Sequence, residues 1–320
     1  MITVVVPTYN RAHYLKEAID SVLKQTYRDI EIIVVDDESR DNTPQVVAGY
    51  KEPKIRYLFQ KNKERGAARN NGIRNARGEY IAFLDSDDVW LPDHLASCLQ
   101  AMRENQEAGL SFSGSYLMGE DGRILSRLHG ARSDGWVLKR LVCDYSSGGC
   151  NASSCLIRKT VFDKAGYFNE EKALSGSEDW EMWARIAAYT RFISTNACTV
   201  KIRFHPQRSS LNVDSMAASM TKSLDILYRD QDIYPRIKPF QKRAYSSLYV
   251  VIATNYYSTG EMRAARGYLG RAAVAYPLCV IMNRYMVYTF LRSLLGAKIS
   301  FALRKHARWL RAQWYNAKEK

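Results

Sequence analysis

Acidic side chains recur directly after short apolar runs in the first ninety residues of this 320-residue chain. The densest cluster is Asp85-Ser86-Asp87-Asp88, which follows the run Tyr80–Leu84. Two carboxylates two residues apart, just beyond a buried strand, can reach one hard divalent ion and the phosphates bound to it. Like charges held this close together also favour a cation between them. The pattern therefore indicates a site for a divalent cation and a phosphorylated ligand.

A second acidic pair, Glu178-Asp179, opens a segment in which Trp180, Trp183 and Ile186 recur at helical spacing. Acidic residues in the first turn of a helix interact favourably with the helix dipole, which is a structural reason for their presence. The residues alone leave a structural and a chemical interpretation open.

The elements that must position these residues are short and rich in β-branched and aromatic side chains. They are Ile2–Val6, Ile30–Val35, Ile55–Phe59 and Tyr80–Leu84. Continuous apolar runs of this length are typical of parallel strands that are buried on both faces. Helical patterns lie between them, so we predict an α/β fold with an open, mostly parallel twisted sheet and flanking helices.

Capping residues help to place the intervening helices. Asn10 is expected as the N-cap of the first helix, and Thr43 before Pro44 as the cap of the second. A third helix is expected over Gly66–Ala76.

Ligands of open α/β sheets bind in the crevice at the carboxyl ends of the strands. Pro7-Thr8-Tyr9-Asn10 follows the first predicted strand, and Asp36-Asp37-Glu38-Ser39 follows the second. Helix capping alone explains one such cluster, because Asp and Asn often begin helices. Three clusters on one edge, with the run from Asp85 to Asp88 as the third, predict a ligand and a cation there.

Four segments of the chain, in this order and spacing, resemble the large bacterial family 2 of inverting nucleotide-sugar glycosyltransferases, which have the GT-A fold. They are VVVPTYNRAHYLKEAIDSVLKQTY, EIIVVDDESRDNT, NKERGAARNNGIRNARGEYIAFLDSDDVWLPDHL and SEDWEMWARIA. The resemblance covers roughly residues 1–210. It implies a catalytic domain over 1–215, with a nucleotide-binding half (1–90) and an acceptor-side half (91–215). Strand-like Leu110–Leu117, Ser153–Ile157 and Thr199–Phe204 would complete the sheet in that second half.

The resemblance also implies roles for matching positions. The nucleotide would be bound by Pro7, Thr8, Tyr9, Asp36, Asp37, Arg69, Asp85 and Ser86. The metal would be bound by Asp87, together with Asp85 and His205. Asp179, which stands beside Glu178, would act as the catalytic base and take the proton of the acceptor hydroxyl.

The implied reaction moves a sugar from a nucleoside-diphosphate donor, UDP or dTDP favoured, to a hydroxyl of a saccharide or lipid-linked saccharide acceptor. Mn²⁺ or Mg²⁺ would neutralise the leaving diphosphate, and surface polysaccharide or glycan biosynthesis is the expected setting. Two alternatives stay open: a nucleotidyltransferase of related fold, and an inactive family member that acts as a binding scaffold.

Composition limits the other classes of function. No GxGxxG or GxxxxGK[ST] sequence is present, which argues against a dinucleotide fold and a phosphate-loop ATPase. No known nucleic-acid motif accompanies the net charge of +14, so we expect no nucleic-acid partner. The six cysteines lack metal-site spacing, and the sequence shows neither a signal peptide nor a membrane-spanning run. A cytoplasmic protein is expected, peripheral at the inner face of the membrane if its basic region binds lipid.

The positive charge is concentrated near the carboxyl end. Residues 216–320 hold 18 Lys/Arg and 5 Asp/Glu, a balance of +13. We predict a basic helical region there, in which residues 278–314 mix aromatic and cationic side chains suited to an anionic membrane surface. The alternative is that these helices pack on the catalytic domain or form a homo-oligomer.

Overall fold

The computed structural model describes residues 1–128, 134–145, 150–206 and 211–277. Its strands are β1 (Ile2–Thr8), β2 (Ile30–Asp36), β3 (Ile55–Phe59), β4 (Tyr80–Phe83), β5 (Val89–Trp90), β6 (Ala108–Met118), β7 (Ile124–Leu128), β8 (Cys155–Arg158) and β9 (Arg191–Arg203). Its α-helices are α1 (Ala12–Leu23), α2 (Thr43–Ala48), α3 (Glu64–Asn75), α4 (His94–Glu104), α5 (Leu138–Asp144), α6 (Phe162–Ala165), α7 (Glu178–Tyr189), α8 (Val213–Leu227), α9 (Tyr234–Ile237), α10 (Gln241–Thr259) and α11 (Met262–Ala275).

All of these strands belong to one open sheet with the order β3-β2-β1-β4-β8-β6-β9-β5, and β7 pairs with β6 beside this path. The pairs β1–β2, β2–β3 and β1–β4 are parallel, as the apolar runs predict. Parallel strands end at the same edge, so Thr8 pairs with Asp36 at the last register position of β1 and β2. The α/β fold with an open sheet is confirmed.

The second half of the sheet is mixed. Strand β8 runs antiparallel to both β4 and β6, whereas β9 runs parallel to β6 and antiparallel to β5. Strand β9 is longer than the predicted Thr199–Phe204, because pairing with β6 begins at Arg191. Strands β5 and β7 and helix α5 are additions that the apolar pattern does not predict.

The predicted helix caps at Asn10 and Thr43 are wrong by one residue each. Helix α1 begins after Arg11. The N–H of Ala12, its first residue, donates to the Asp41 carboxylate at 2.9 Å. Asn10 has a positive φ of 51° and accepts a hydrogen bond from Arg40 N instead. Thr43 is the first helical residue of α2, and its N–H also donates to Asp41. The Asp41 carboxylate thus accepts from the first N–H of two helices, one that begins two residues later and one that begins 29 residues earlier in the chain.

Alternating residues of β1 bury their side chains on opposite faces of the sheet. Val4 and Val6 belong to a core cluster with Leu15 and Ile19 of α1 and with apolar residues of α4. Val5 faces the other way, toward α3, where a Cβ added at Gly72 would lie 2.3 Å from its Cγ1. This close approach brings α3 and the Arg69 that it carries to the carboxyl edge of the sheet.

The described residues divide into two compact units: the first lies within residues 1–142 and 150–238, and the second comprises residues 143–145 and 239–277. The first unit holds the sheet. In the second, α10 and α11 form a helical hairpin with a small core of Val250, Ala253, Leu269 and Ala272. The predicted domain boundary at residue 215 stays a prediction.

Across the residues that the structure describes, no helix is both long and apolar enough to cross a membrane.

Candidate active site

A cleft of about 460 Å³ lies at the carboxyl edge of the parallel strands in the first unit. It is lined by Pro7, Thr8, Tyr9, Arg11, Asp37, Asn62, Glu64, Arg65, Ala68, Arg69, Asp85, Ser86, Asp87, Asp88, Asn151, Ala152, Ser175, Gly176, Glu178, Asp179, Ile202 and Arg203. Ten of the twelve site residues predicted from the sequence line this cleft. The other two, Asp36 and His205, are not among the lining residues and are buried.

Asp87 and His205 meet at one end of the cleft. The Nε2 atom of His205 lies 2.9 Å from an oxygen of Asp87, although 118 positions separate the two residues. Asp87 lies in the loop between β4 and β5, and His205 follows the end of β9, so sheet pairing brings them together. The His205 side chain is 1% exposed and that of Asp87 is 26% exposed. The pair therefore presents its carboxylate to the cleft.

A carboxylate oxygen suits Mg²⁺ and Mn²⁺, and a neutral imidazole nitrogen is a common ligand of metal ions in proteins. Among the described residues no three His, Cys, Asp or Glu side chains converge as a complete cation site. A cation held by one or two protein groups together with substrate phosphates is the arrangement that Mg²⁺ commonly adopts. The residues present therefore fit a divalent ion that binds together with a diphosphate.

Arg69 joins two carboxylates beneath the cleft floor. Its Nη1 donates to Glu178 at 2.9 Å and its Nη2 donates to Asp85 at 2.8 Å. The side chain is 1% exposed, and its planar fork satisfies both acids at once. Arg69 therefore links the β4 loop to the start of α7, and its two terminal nitrogens donate to these carboxylates. Its predicted contact with the nucleotide stays a prediction.

The two acids at the start of α7 have opposite environments. Burial alone would raise the pKa of Glu178, but the guanidinium groups of Arg65 and Arg69 outweigh it and hold that pKa below its usual value. For Asp179, burial and the neighbouring charge of Glu178 raise the pKa to about 6. The Asp179 carboxylate accepts a hydrogen bond from the N–H of Trp180 and lies half-buried on the cleft wall. Asp179 is thus the more basic of the two carboxylates.

The opposite end of the cleft is formed by the residues that follow β1 and β2. Tyr9 is 46% exposed there, and Asp37 is buried. One Asp37 oxygen accepts from Gln60 Nε2 at 2.8 Å and from Lys63 N at 3.0 Å, and burial raises the pKa of this carboxyl group. The Glu64 N–H is a further hydrogen-bond donor to this carboxylate, which lines the cleft together with Tyr9.

Asp36 occupies a different environment from its neighbour. It is fully buried, and its two oxygens accept from Ser39 N at 2.8 Å and from the Tyr57 hydroxyl at 2.6 Å. The structure places Asp36 as a support for the loop that carries Asp37, away from the cleft lining.

Asp88, Ser153 and Arg203, to which the sequence analysis assigned no role, are joined by hydrogen bonds beside the cleft. Asp88 is buried, and burial together with the charges of Asp87 and Asp85 raises its pKa well above the usual value. It accepts hydrogen bonds from Ser153 Oγ at 2.6 Å and from Arg203 N at 3.0 Å. The sequence places Asp88 at the end of the acidic run and Arg203 two residues before His205. Only the pairing of β9 in the sheet shows that Asp88 and Arg203 are in contact.

Comparison with known proteins places this chain in a family. The signature of glycosyl transferase family 2 matches residues 3–166, which is half of the chain, and the chain belongs to that family. An uncharacterized glycosyltransferase of Rickettsia conorii is 32% identical over 222 residues, which are 67% of this chain and 36% of the relative. TuaG of Bacillus subtilis, a glycosyltransferase assigned to teichuronic acid biosynthesis, is 36% identical over 130 residues, 40% of this chain and 51% of the relative. The chain thus spans about a third of the length of the Rickettsia protein.

Solved structures share the fold. The crystal structure of S. aureus TarS superposes with a TM-score of 0.62 at 20% identity, covering 91% of this chain and 53% of that one. The mannosyltransferase PcManGT from Pyrobaculum calidifontis, in complex with GDP-Man and Mn²⁺, gives a TM-score of 0.58 at 18% identity, covering 93% of this chain and 86% of that one. These similarities confirm the GT-A fold.

Proposed function

We propose that this protein is a metal-dependent, inverting glycosyltransferase that moves a sugar from a nucleoside-diphosphate donor to an acceptor hydroxyl. The observation that carries the proposal is the position of Asp179. It is a carboxylate with a pKa raised to about 6, and it lines the same cleft as the Asp85–Asp88 loop. A group of this basicity in a cleft that also binds the leaving diphosphate suits a general base near neutral pH.

In the proposed reaction the acceptor oxygen attacks the anomeric carbon from the side opposite the diphosphate. The new bond forms between that oxygen and the anomeric carbon, while the bond from the carbon to the diphosphate oxygen breaks. Asp179 takes the proton of the acceptor hydroxyl. No covalent intermediate with the enzyme is needed, so the configuration at the anomeric carbon inverts.

Asp87 and His205 are the residues proposed to hold Mn²⁺ or Mg²⁺. When bound, the cation acts as a Lewis acid that neutralises charge on the leaving diphosphate. Asp85 and Ser86 lie on the same side of the cleft and would contact the donor. The PcManGT complex, which holds GDP-Man and Mn²⁺ in this fold, supports a divalent cation.

The nucleoside is assigned to the end of the cleft formed by Pro7, Thr8, Tyr9 and Asp37. The buried Asp37 carboxylate can accept from the imide N–H of uracil or thymine, while the exposed Tyr9 ring lies against the base. We therefore favour UDP or dTDP. Solved structures of this fold include TarS with UDP and TarS with UDP-GlcNAc, but also PcManGT with GDP-Man, so the fold itself accepts more than one base.

The acceptor is proposed to be a growing surface polysaccharide or a lipid-linked saccharide. The assignment of TuaG to teichuronic acid biosynthesis supports a role in polysaccharide synthesis.

The donor can be identified by thermal-shift measurements with UDP-, dTDP- and GDP-sugars, each with and without Mn²⁺. A ligand that binds only the native state raises the melting temperature by mass action. We expect stabilisation by a uridine or thymidine diphosphate sugar that requires Mn²⁺. Stabilisation by GDP-sugars alone would contradict the assignment of the base, and stabilisation that persists in EDTA would contradict the role of the metal.

A further inference from the structure

We propose that Arg203 is a positioning residue that holds Asp87 and His205 in the relative placement needed for the cation and the diphosphate. The inference rests on the proposed function, because it concerns the same site. It goes beyond it by assigning the alignment of the site to a residue whose guanidinium nitrogens all donate to protein acceptors.

The Arg203 side chain is 3% exposed, and all three guanidinium nitrogens have partners inside the protein. Nε donates to the backbone oxygen of Asp87 at 3.0 Å, Nη1 donates to the backbone oxygen of Glu120 at 3.1 Å, and Nη2 donates to the Glu17 carboxylate. The fork is therefore directed at protein acceptors, so Arg203 is not placed as a ligand of the phosphates.

The same guanidinium packs over the ring of Tyr14, with 4.7 Å between Cζ and the ring centroid. Tyr14 and Glu17 belong to α1, which begins shortly after Thr8 and Tyr9, two of the residues proposed to bind the nucleoside. Arg203 thus connects four segments: the end of β9, the β4–β5 loop, the β6–β7 turn and α1.

The backbone of Arg203 closes a second set of contacts. Its N–H donates to Asp88 at 3.0 Å, and the other oxygen of Asp88 accepts from Ser153 Oγ at 2.6 Å. Ser153 Oγ in turn accepts from the N–H of Asp85 at 3.1 Å. The Asp85–Asp88 loop is therefore held at both ends, by Ser153 at the start and by Arg203 at Asp87 and Asp88.

This arrangement decides where His205 lies. Only Phe204 separates His205 from Arg203, and the N–H of Phe204 donates to Met118 at 2.7 Å. Because Arg203 fixes both the carbonyl of Asp87 and the strand end that carries His205, it sets the distance between the two proposed ligands. Residues that orient metal ligands in this way commonly change metal affinity by about 10–100-fold when they are mutated.

The test is a titration of Mn²⁺ with UDP or GDP present at saturation, with free Mn²⁺ measured by electron paramagnetic resonance. Arg203→Lys keeps the charge but loses the planar fork. We expect its Mn²⁺ dissociation constant to rise by about 10–100-fold, with turnover largely restored at saturating Mn²⁺.

Arg158→Lys is the matched control. Arg158 also lies over a tyrosine ring, that of Tyr80 at 5.4 Å, and donates to the Ala108 carbonyl at 3.1 Å, but it stands at the opposite end of β4 and β8. This control should lower the melting temperature without changing Mn²⁺ affinity.

Glu17→Ala provides a second variant that avoids a folding defect, because the Glu17 side chain is 53% exposed. It removes one acceptor from Arg203 and should weaken Mn²⁺ binding by a smaller factor.

If wild type binds Mn²⁺ and both Arg203→Lys and Glu17→Ala bind it equally well, the positioning role is overturned while the proposed function stands. If Arg158→Lys weakens Mn²⁺ binding as much as Arg203→Lys does, the effect is general destabilisation and the positioning role is again overturned. If wild type binds no Mn²⁺ with either nucleotide, the proposed metal dependence fails, and the inference fails with it.

Discussion

Two adjacent carboxylates at the start of α7 show how the environment of a side chain decides its chemistry. Glu178 is buried against Arg65 and Arg69, so it remains ionised and serves as an anchor for the guanidinium groups. Asp179 faces the cleft, and the ionised Glu178 beside it helps to raise its pKa. The same pair of residue types thus yields one structural anion and one candidate base.

The pH dependence of turnover should report this arrangement. A general base must be deprotonated to act, so the rate should fall as the pH drops through about 6, where Asp179 gains a proton. Glu178→Gln removes a negative charge that raises the Asp179 pKa, so its inflection should move to lower pH. A profile of kcat against pH for both proteins checks this. An inflection that stays in place or moves upward in the variant would contradict the assigned electrostatics.

Asp37 allows a separate test of the nucleoside end. Asp37→Asn removes the charge that strengthens a hydrogen bond from the base, and such bonds contribute about 1.5–3 kcal/mol. We therefore expect UDP affinity to fall by about 10-fold or more in calorimetry. Glu38→Gln is the control, because Glu38 is the next acid along the chain and does not line the cleft. Equal UDP affinity in Asp37→Asn and wild type would remove Asp37 from the nucleotide site.

For individual residues, the sequence predicted which side chains belong to the site better than it predicted which side chains they contact. Asp36 and Asp37 have the same chemistry and lie side by side, so only the backbone direction at the end of β2 shows that Asp36 turns toward Tyr57. The pairing of Asp87 with His205 depends on where β9 lies in the sheet, and that placement is a long-range property.

At the scale of elements, local pattern predicted the parallel half of the sheet because its strands are continuous apolar runs. Strand β9 was predicted too short because Ser194-Thr195-Asn196-Ala197-Cys198 has no apolar alternation, yet it lies within the strand. Strand β7 was missed for a related reason, since all five of its residues are exposed. Both segments are strands because their backbones form hydrogen bonds with β6, and a side-chain pattern does not reveal such bonds.

The seating of α3 on β1 can be tested with two glycines in different helices. A Cβ at Gly72 of α3 would lie 2.3 Å from Val5 Cγ1, whereas a Cβ at Gly267 of α11 meets nothing within 4 Å. Gly72→Ala should reduce the free energy of unfolding by about 1–3 kcal/mol, as overpacked cores do. Gly267→Ala should be neutral or stabilising by up to about 1 kcal/mol, because alanine favours helix. Chemical denaturation checks both, and a Gly72→Ala protein as stable as wild type would contradict the close packing of α3.

At the scale of the whole molecule, the excess positive charge and the candidate active site lie in different parts of the chain. Residues 1–215 hold 29 Lys/Arg and 28 Asp/Glu and include the cleft, whereas residues 216–320 carry a balance of +13. The segment predicted to meet a membrane, residues 278–314, lies outside the described residues. The membrane and homo-oligomer interpretations therefore stay predictions from the sequence.

Liposome co-sedimentation distinguishes these interpretations. Each Lys or Arg near an anionic bilayer contributes about 1 kcal/mol, and this attraction weakens as salt screens it. We expect the full chain to bind anionic vesicles at low salt and to release them at high salt, with little binding to neutral vesicles. Equal binding to both kinds of vesicle, or none at low salt, would contradict membrane attachment and favour packing of the basic region on protein.

The assignment of Asp179 as the base that accepts the acceptor proton is the central claim, and Asp179→Asn tests it most directly. The substitution preserves shape and removes basicity, so turnover with the preferred nucleotide-sugar should fall by about 10²–10⁴-fold. The affinity for the nucleoside diphosphate, measured by calorimetry on the same protein, should stay unchanged. Turnover equal to wild type, accompanied by a loss of nucleotide binding, would contradict the account.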